Sequence, residues 1–166
     1  MGPLRDSRSS PGIGGAITSP DVIIIQVLAL IPAEGDRRLL RDMFAHTKWQ
    51  LQFAGTLDDL RQALRHSQIG VVITDSRLPD CSWNEVLEAA DQTEGQPSVI
   101  VISRVADERL WAEVLSTGGF DLVLMPFDCT EVLHCIASAW RNWQDRLASK
   151  RSRKLPRSLR ASASSC

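Results

Sequence analysis

The chain has 166 residues, 43% hydrophobic and 23% charged, which suits one soluble domain of ordinary size with short tails. Its longest apolar runs are residues 22–25, 27–32 and 99–102, far short of the ~20 residues of a membrane-spanning helix, which excludes an integral membrane protein of that kind. The net charge of −1 hides an asymmetry: residues 21–144 hold 10 basic and 18 acidic side chains, whereas residues 145–166 hold 7 basic and 1 acidic.

The first twenty residues are rich in Gly, Ser and Pro and read as a disordered tail. They hold no apolar segment, which argues against a secretory signal. Residues 22–30 form a nearly continuous β-branched apolar run, the mark of a strand buried on both faces. Leu39, Leu40, Met43 and Phe44 then recur at helical spacing. Over residues 48–53, Trp49, Leu51 and Phe53 alternate with Lys48, Gln50 and Gln52, as a half-exposed edge strand does. Leu57, Leu60 and Leu64 mark a second helix, and residues 71–73 a buried strand. Residues 99–102 and 122–125 are further strands. Leu110, Val114 and Leu115 form a helix between them, closed by Gly118-Gly119. Three helix starts carry capping-box signals: Thr56 with Asp59, Ser82 with Glu85, and Asp128 with Glu131. The last helix is expected to bury Val132, Leu133, Ile136, Ala137 and Trp140. The tail SKRSRKLPRSLRASASSC cannot bury a core and reads as a solvated basic extension. Its charge leaves nucleic-acid or anionic-surface binding as an alternative, although no aromatic interleaves the basic residues for base stacking.

Cys81, Cys129, Cys135 and Cys166 contain no C-x-x-C pair, and His46, His66 and His134 are not spaced as metal ligands. A structural zinc site is therefore not expected. The scattered thiols fit a reducing, cytoplasmic compartment.

Strand and helix alternate five times, which predicts a doubly wound α/β sheet with its function at the carboxyl ends of the strands. Those ends carry Asp75, Ser103 and Arg104. A carboxylate there is a candidate metal ligand, base or nucleophile, or it closes a turn with its own backbone.

Three segments carry a resemblance. The run VVITDSRLPDCSWNEVL resembles the phosphoacceptor segment of response-regulator receiver domains. VIVISRVADERLWAEVLSTGGFDLVLMPFD resembles the family's fourth strand, fourth helix and fifth strand, and VLALIPAEGDRRLLRDMF its first strand and helix. The resemblance covers residues 21–144. It implies a flavodoxin-like five-stranded parallel sheet, order 2-1-3-4-5, with five helices in three α/β/α layers. It also implies that Asp75 is the phosphoacceptor, that Ser103 is the switch residue touching the phosphoryl group, and that the Met125–Pro126 bond is cis.

Three positions depart from the family's pattern. Ile31 and Pro32 stand where two metal-binding acids are expected, and Met125 where a lysine is expected. Asp75 alone would hold Mg²⁺ weakly at best. Glu34 is the nearest substitute acid, and Arg77 and Arg104 are the substitute cations. The expectation is a degenerate single-domain response regulator in phosphorelay signalling, without enzymatic activity and without an attached output domain. It would act by protein–protein contact, with phosphorylation of Asp75 under altered metal dependence as the alternative. A sensor histidine kinase or another signalling protein is the expected partner. The face made by the fourth helix, fifth strand and fifth helix is the expected surface for a partner or a homodimer, with Trp111, Trp140 and Trp143 as interface candidates. Neither a membrane nor nucleic acid is an expected partner of the core.

Overall fold

The computed structural model describes residues 24–105 and 107–154; the expected N-terminal tail and the last twelve residues lie outside this range. Elements alternate strictly. They are β1 (Gln26–Leu30), α1 (Glu34–Ala45), β2 (Gln50–Phe53), α2 (Leu57–His66), β3 (Val71–Asp75), α3 (Trp83–Asp91), β4 (Ser98–Ser103), α4 (Glu108–Thr117), β5 (Asp121–Leu124) and α5 (Cys129–Lys154). The five strands form one parallel sheet in the order β2-β1-β3-β4-β5, the flavodoxin-like arrangement expected from the sequence.

Successive side chains of a strand point to opposite faces, so the apolar runs build two cores. Val27, Ala29, Ile73 and Ile102 pack under α1 and α5. Leu28, Leu30, Val72 and Val101 pack under α2, α3 and α4. β2 at the edge keeps its alternation: Gln50 and Gln52 are exposed, and Leu51 and Phe53 are half-buried. Thr56–Asp59 and Ser82–Glu85 form complete capping boxes. At α5 only half of the third box forms, with the Asp128 carboxylate accepting from the Glu131 amide at 3.0 Å. Gly118 ends α4 at φ 107°, where glycine escapes the Cβ clash of the left-handed region.

Three packing expectations change. Leu39 is exposed, because α1 turns its Leu40, Met43 and Phe44 face to the sheet. α4 buries Val114 alone and leaves Leu115 exposed, since it covers the margin of the sheet beside the short strand β5. In α5, Leu133 and Ala137 are only half-buried, and Cys135, Ala139 and Trp143 join the buried face instead.

Trp140 and Trp143 are not exposed interface residues. Both are buried, with ring centroids 4.6 Å apart, and they lie against Gly70, which presents no side chain. The Trp143 indole N–H donates to the Gly95 carbonyl at 2.8 Å. Trp111 alone of the three is exposed, at 51%.

The end of the last helix is expected within residues 145–166, ahead of the tail that starts at Ser149; α5 runs into that tail as far as Lys154. Leu147 packs on the core, Arg146 donates to Ser98 Oγ at 2.8 Å, and Lys150 donates to the Gln96 side chain. These contacts hold the first part of the basic segment as helix. In a parallel sheet each helix returns antiparallel to its strands, so helix N-termini gather at the strands' carboxyl ends. Glu34, Asp36, Asp58, Asp59, Glu85, Glu108 and Glu131 all lie in first turns. Arg65, His66, Arg151, Arg153 and Lys154 lie in last turns. Both sets complement the helix dipoles. Among the described residues no helix is long and apolar enough to cross a membrane.

Candidate functional site

The carboxyl ends of β1, β3, β4 and β5 bring together most of the residues singled out from the sequence. Asp75 closes β3 opposite Ile102 of β4 and is half-buried. Its carboxylate accepts the Arg77 backbone N–H at 2.8 Å, an Asx-turn that fixes the side chain on its own loop. Ser103 ends the neighbouring strand β4 and is buried; its Oγ accepts the Val105 N–H at 3.3 Å. Met125 follows β5, donates its N–H to the Ser103 carbonyl at 2.9 Å and buries its side chain in the α1/α5 core. The Met125–Pro126 peptide bond is cis.

At the end of β1, Ile31 is fully buried in the same core, and its carbonyl accepts Arg37 Nε at 2.6 Å. Pro32 is exposed. A small hollow of about 40 Å³ remains beside them, walled by Leu30, Ile31, Pro32, Leu57 and Pro79 among others. Glu34 does not turn toward Asp75's loop. Its carboxylate is held by Arg41 at 3.0 Å, Arg38 at 3.8 Å and Arg37 at 3.9 Å. The hydrogen bond from Arg41 holds its pKa below the ordinary carboxylate value.

The two candidate cations part company. Arg77 is exposed, whereas Arg104 reaches back to Asp36 of α1 with 2.5 Å between Nη2 and Oδ2. Asp36 is 5% exposed. The pair ties the β4–α4 loop to the first turn of α1, across the end of the sheet. Asp36 was missed in the sequence, although a signal was there. It shares the helical face of Leu40, Met43 and Phe44, and a carboxylate at a core-facing position requires a buried partner.

The Mg²⁺ implied by the family resemblance does not fit these residues. Asp75 is the one acid left from the family's set, because Ile31 and Pro32 offer no side-chain donor and Glu34 is committed to arginines. Among the described residues, no group of three or more His, Cys, Asp or Glu side chains gathers where a metal ion could sit.

Comparison with known proteins gives this geometry its family. The sequence model of the response regulator receiver domain matches residues 34–137. Response regulator protein PilR of Pseudomonas aeruginosa is 26% identical over 105 residues, which are 63% of this chain and 24% of PilR; the chain thus spans about a quarter of that relative's length. Two solved folds are similar. One is the signal receiver domain of a protein described as a Luxo repressor of Vibrio parahaemolyticus (TM-score 0.69, 19% identity, 76% of this chain and 98% of that one). The other is the signal receiver domain of an HD domain-containing protein of Pseudomonas fluorescens Pf-5 (TM-score 0.66, 20% identity, 74% and 98%). The family match covers more than half of the sequence, and the chain belongs to the response regulator receiver domain family of two-component signalling.

Proposed function

We propose that this receiver works as a protein–protein contact module in the cytoplasm, held in one default conformation, and that it has lost the conventional phosphoryl switch. One observation carries the reading: at the end of the sheet most of the groups that would neutralise a phosphoryl group are absent or engaged elsewhere, and of the candidate cations only the exposed Arg77 side chain stays uncommitted among the described residues. Ile31 and Met125 are core side chains, Glu34 is bound by three arginines, and Arg104 is bound by Asp36. Phosphoryl transfer depends on positioning and charge neutralisation, and both are reduced here. The contact face is α4–β5, where Trp111 and Leu115 of α4 and Leu124 of β5 are exposed. Its occupant is a signalling partner or a second copy of the chain. The reading includes no enzymatic turnover.

A second reading keeps Asp75 as phosphoacceptor, with altered metal dependence. It is favoured by the half-exposed carboxylate and by Ser103 at the end of the adjacent strand. One experiment separates the two. The chain is incubated with acetyl phosphate, with and without Mg²⁺, and its intact mass is recorded beside Asp75→Asn. No gain in a folded protein is the expected result. A Mg²⁺-dependent gain of one phosphoryl group, absent from the variant, would establish the second reading.

A further inference from the structure

The end of the molecule opposite Asp75 carries a cleft that the extension of α5 creates. It has a volume of about 970 Å³ and opens between the last turns of α2 and α5. Its floor is apolar, built from Leu64, Ile69, Ala89 and Leu147. Its rim carries cations: Arg61 and Arg65 stand on α2 beside His66, and Lys150, Arg151 and Lys154 on α5. All six are exposed.

The charge of this rim is not balanced from within. Glu94 is the acid in the lining, and it lies 3.6 Å from Lys154. Asp58 takes Arg61 at 3.2 Å. Arg65, His66 and Arg151 form no ion pair or side-chain hydrogen bond with any described residue. The remainder of residues 21–144 is strongly acidic, so this cluster of cations is local, not a general excess. Like charges facing one another across a cleft repel, and an anionic occupant relieves the repulsion. The cleft also suits one kind of anion. No aromatic ring is exposed in it, because Trp143 is buried and its N–H is committed to Gly95, so bases have no stacking platform. Its floor is greasy, and only a ligand with apolar side chains uses that surface.

We propose that this cleft docks an acidic peptide segment of a partner protein. Its carboxylates meet Arg65, Lys150 and Arg151, and an apolar side chain enters between Leu64 and Leu147. This surface is separate from the α4–β5 face and from the Asp75 loop, and it does not depend on phosphorylation.

The test selects random dodecapeptides displayed on phage against the immobilised full chain. Selected sequences are then synthesised with fluorescein and titrated by polarisation. Enrichment of Asp and Glu together with Leu, Ile or Phe is expected. Affinity should fall by about tenfold or more in Arg65→Glu/Arg151→Glu and partly in Arg65→Gln/Arg151→Gln, with unchanged circular dichroism. It should also weaken with added salt. The proposal is overturned if acidic sequences are not enriched, if the selected peptides bind the variants as tightly as the parent, or if single-stranded oligothymidine binds more tightly than any peptide.

Discussion

Replacing Gly70 by alanine probes how α5 is seated on the sheet. A Cβ at residue 70 would stand 2.3 Å from Cε3 and Cζ3 of Trp140 and 2.8 Å from Cε3 of Trp143. Carbon atoms pack at roughly 3.5–4.0 Å, so the Trp140 ring must withdraw by about 1 Å. It has nowhere to go, since both indoles are buried and stacked on one another. Overpacking of this kind costs about 1–3 kcal/mol. If Trp143 shifts with its neighbour, the bond to the Gly95 carbonyl goes too, adding about 1 kcal/mol. Alanine restricts the unfolded chain and returns at most about 1 kcal/mol, because Gly70 is not in the left-handed region. With the Trp143–Gly95 bond lost, the net expectation is a loss of about 1–4 kcal/mol. Urea denaturation followed by tryptophan fluorescence and circular dichroism measures it. In Gly70→Ala/Trp140→Leu the two closest contacts are gone and Trp143 has room to move aside, so the double variant should lose less than the sum of the single variants. An unchanged urea midpoint for Gly70→Ala, or strict additivity in the double variant, would refute this account of the packing.

Arg104→Ala leaves the buried Asp36 carboxylate without its cation, and a loss of about 1–2 kcal/mol is expected in urea. The figure is modest because the Arg104 side chain is 61% exposed and water already screens it. Restoration of the parent midpoint by Asp36→Leu/Arg104→Ala would confirm the cause, and an unchanged midpoint in Arg104→Ala would exclude it. At Cys135, burial first and the adjacent Asp121 carboxylate second push the thiol pKa from 9.0 up to about 12. The unfolded chain therefore releases this proton first. Stability from the neutral thiol is complete below pH 9 and falls as pH rises toward 12, and Cys135→Ala should remove that part of the alkaline slope. Peptide mapping after an iodoacetamide pulse at pH 8 should find Cys129, which is exposed, alkylated and Cys135 spared. Trp111→Glu should abolish any concentration-dependent rise in mass seen by sedimentation velocity without altering urea stability; a dimer that survives it uses another face.

Most of the fold was legible in the sequence because burial on both faces of a parallel strand writes itself as an unbroken apolar run. The runs at β1, β3 and β4 are of this kind, and Gln50 and Gln52 marked β2 as an edge by the same logic. Capping residues placed α2 and α3 correctly, since a capping box is a local signal. What escaped was every feature that depends on distant residues. The contacts of Arg146 and Lys150 with the β4 region carry α5 through a stretch whose composition reads as tail. Trp143 was misjudged because its burial requires a glycine more than seventy residues earlier in the chain, and periodicity along one helix cannot register that. At the candidate site the positions of Asp75, Ser103, Ile31 and Met125 could be read from motif order. The ion pair of Asp36 with Arg104 joins residues 68 apart and follows from neither motif.

The helix ends described above also give the molecule a direction. Carboxylates crowd the end of the sheet that bears Asp75, and the arginines and lysines of α2 and α5 crowd the other. A net charge of −1 therefore conceals a permanent dipole aligned with the strands. In the field of a charged partner the molecule would rotate before it touches, so that diffusion delivers one end preferentially and few collisions are wasted on the wrong face. The gain lies in how quickly encounters succeed, and it fades as ionic strength shortens the reach of the field to about 8 Å at 0.15 M.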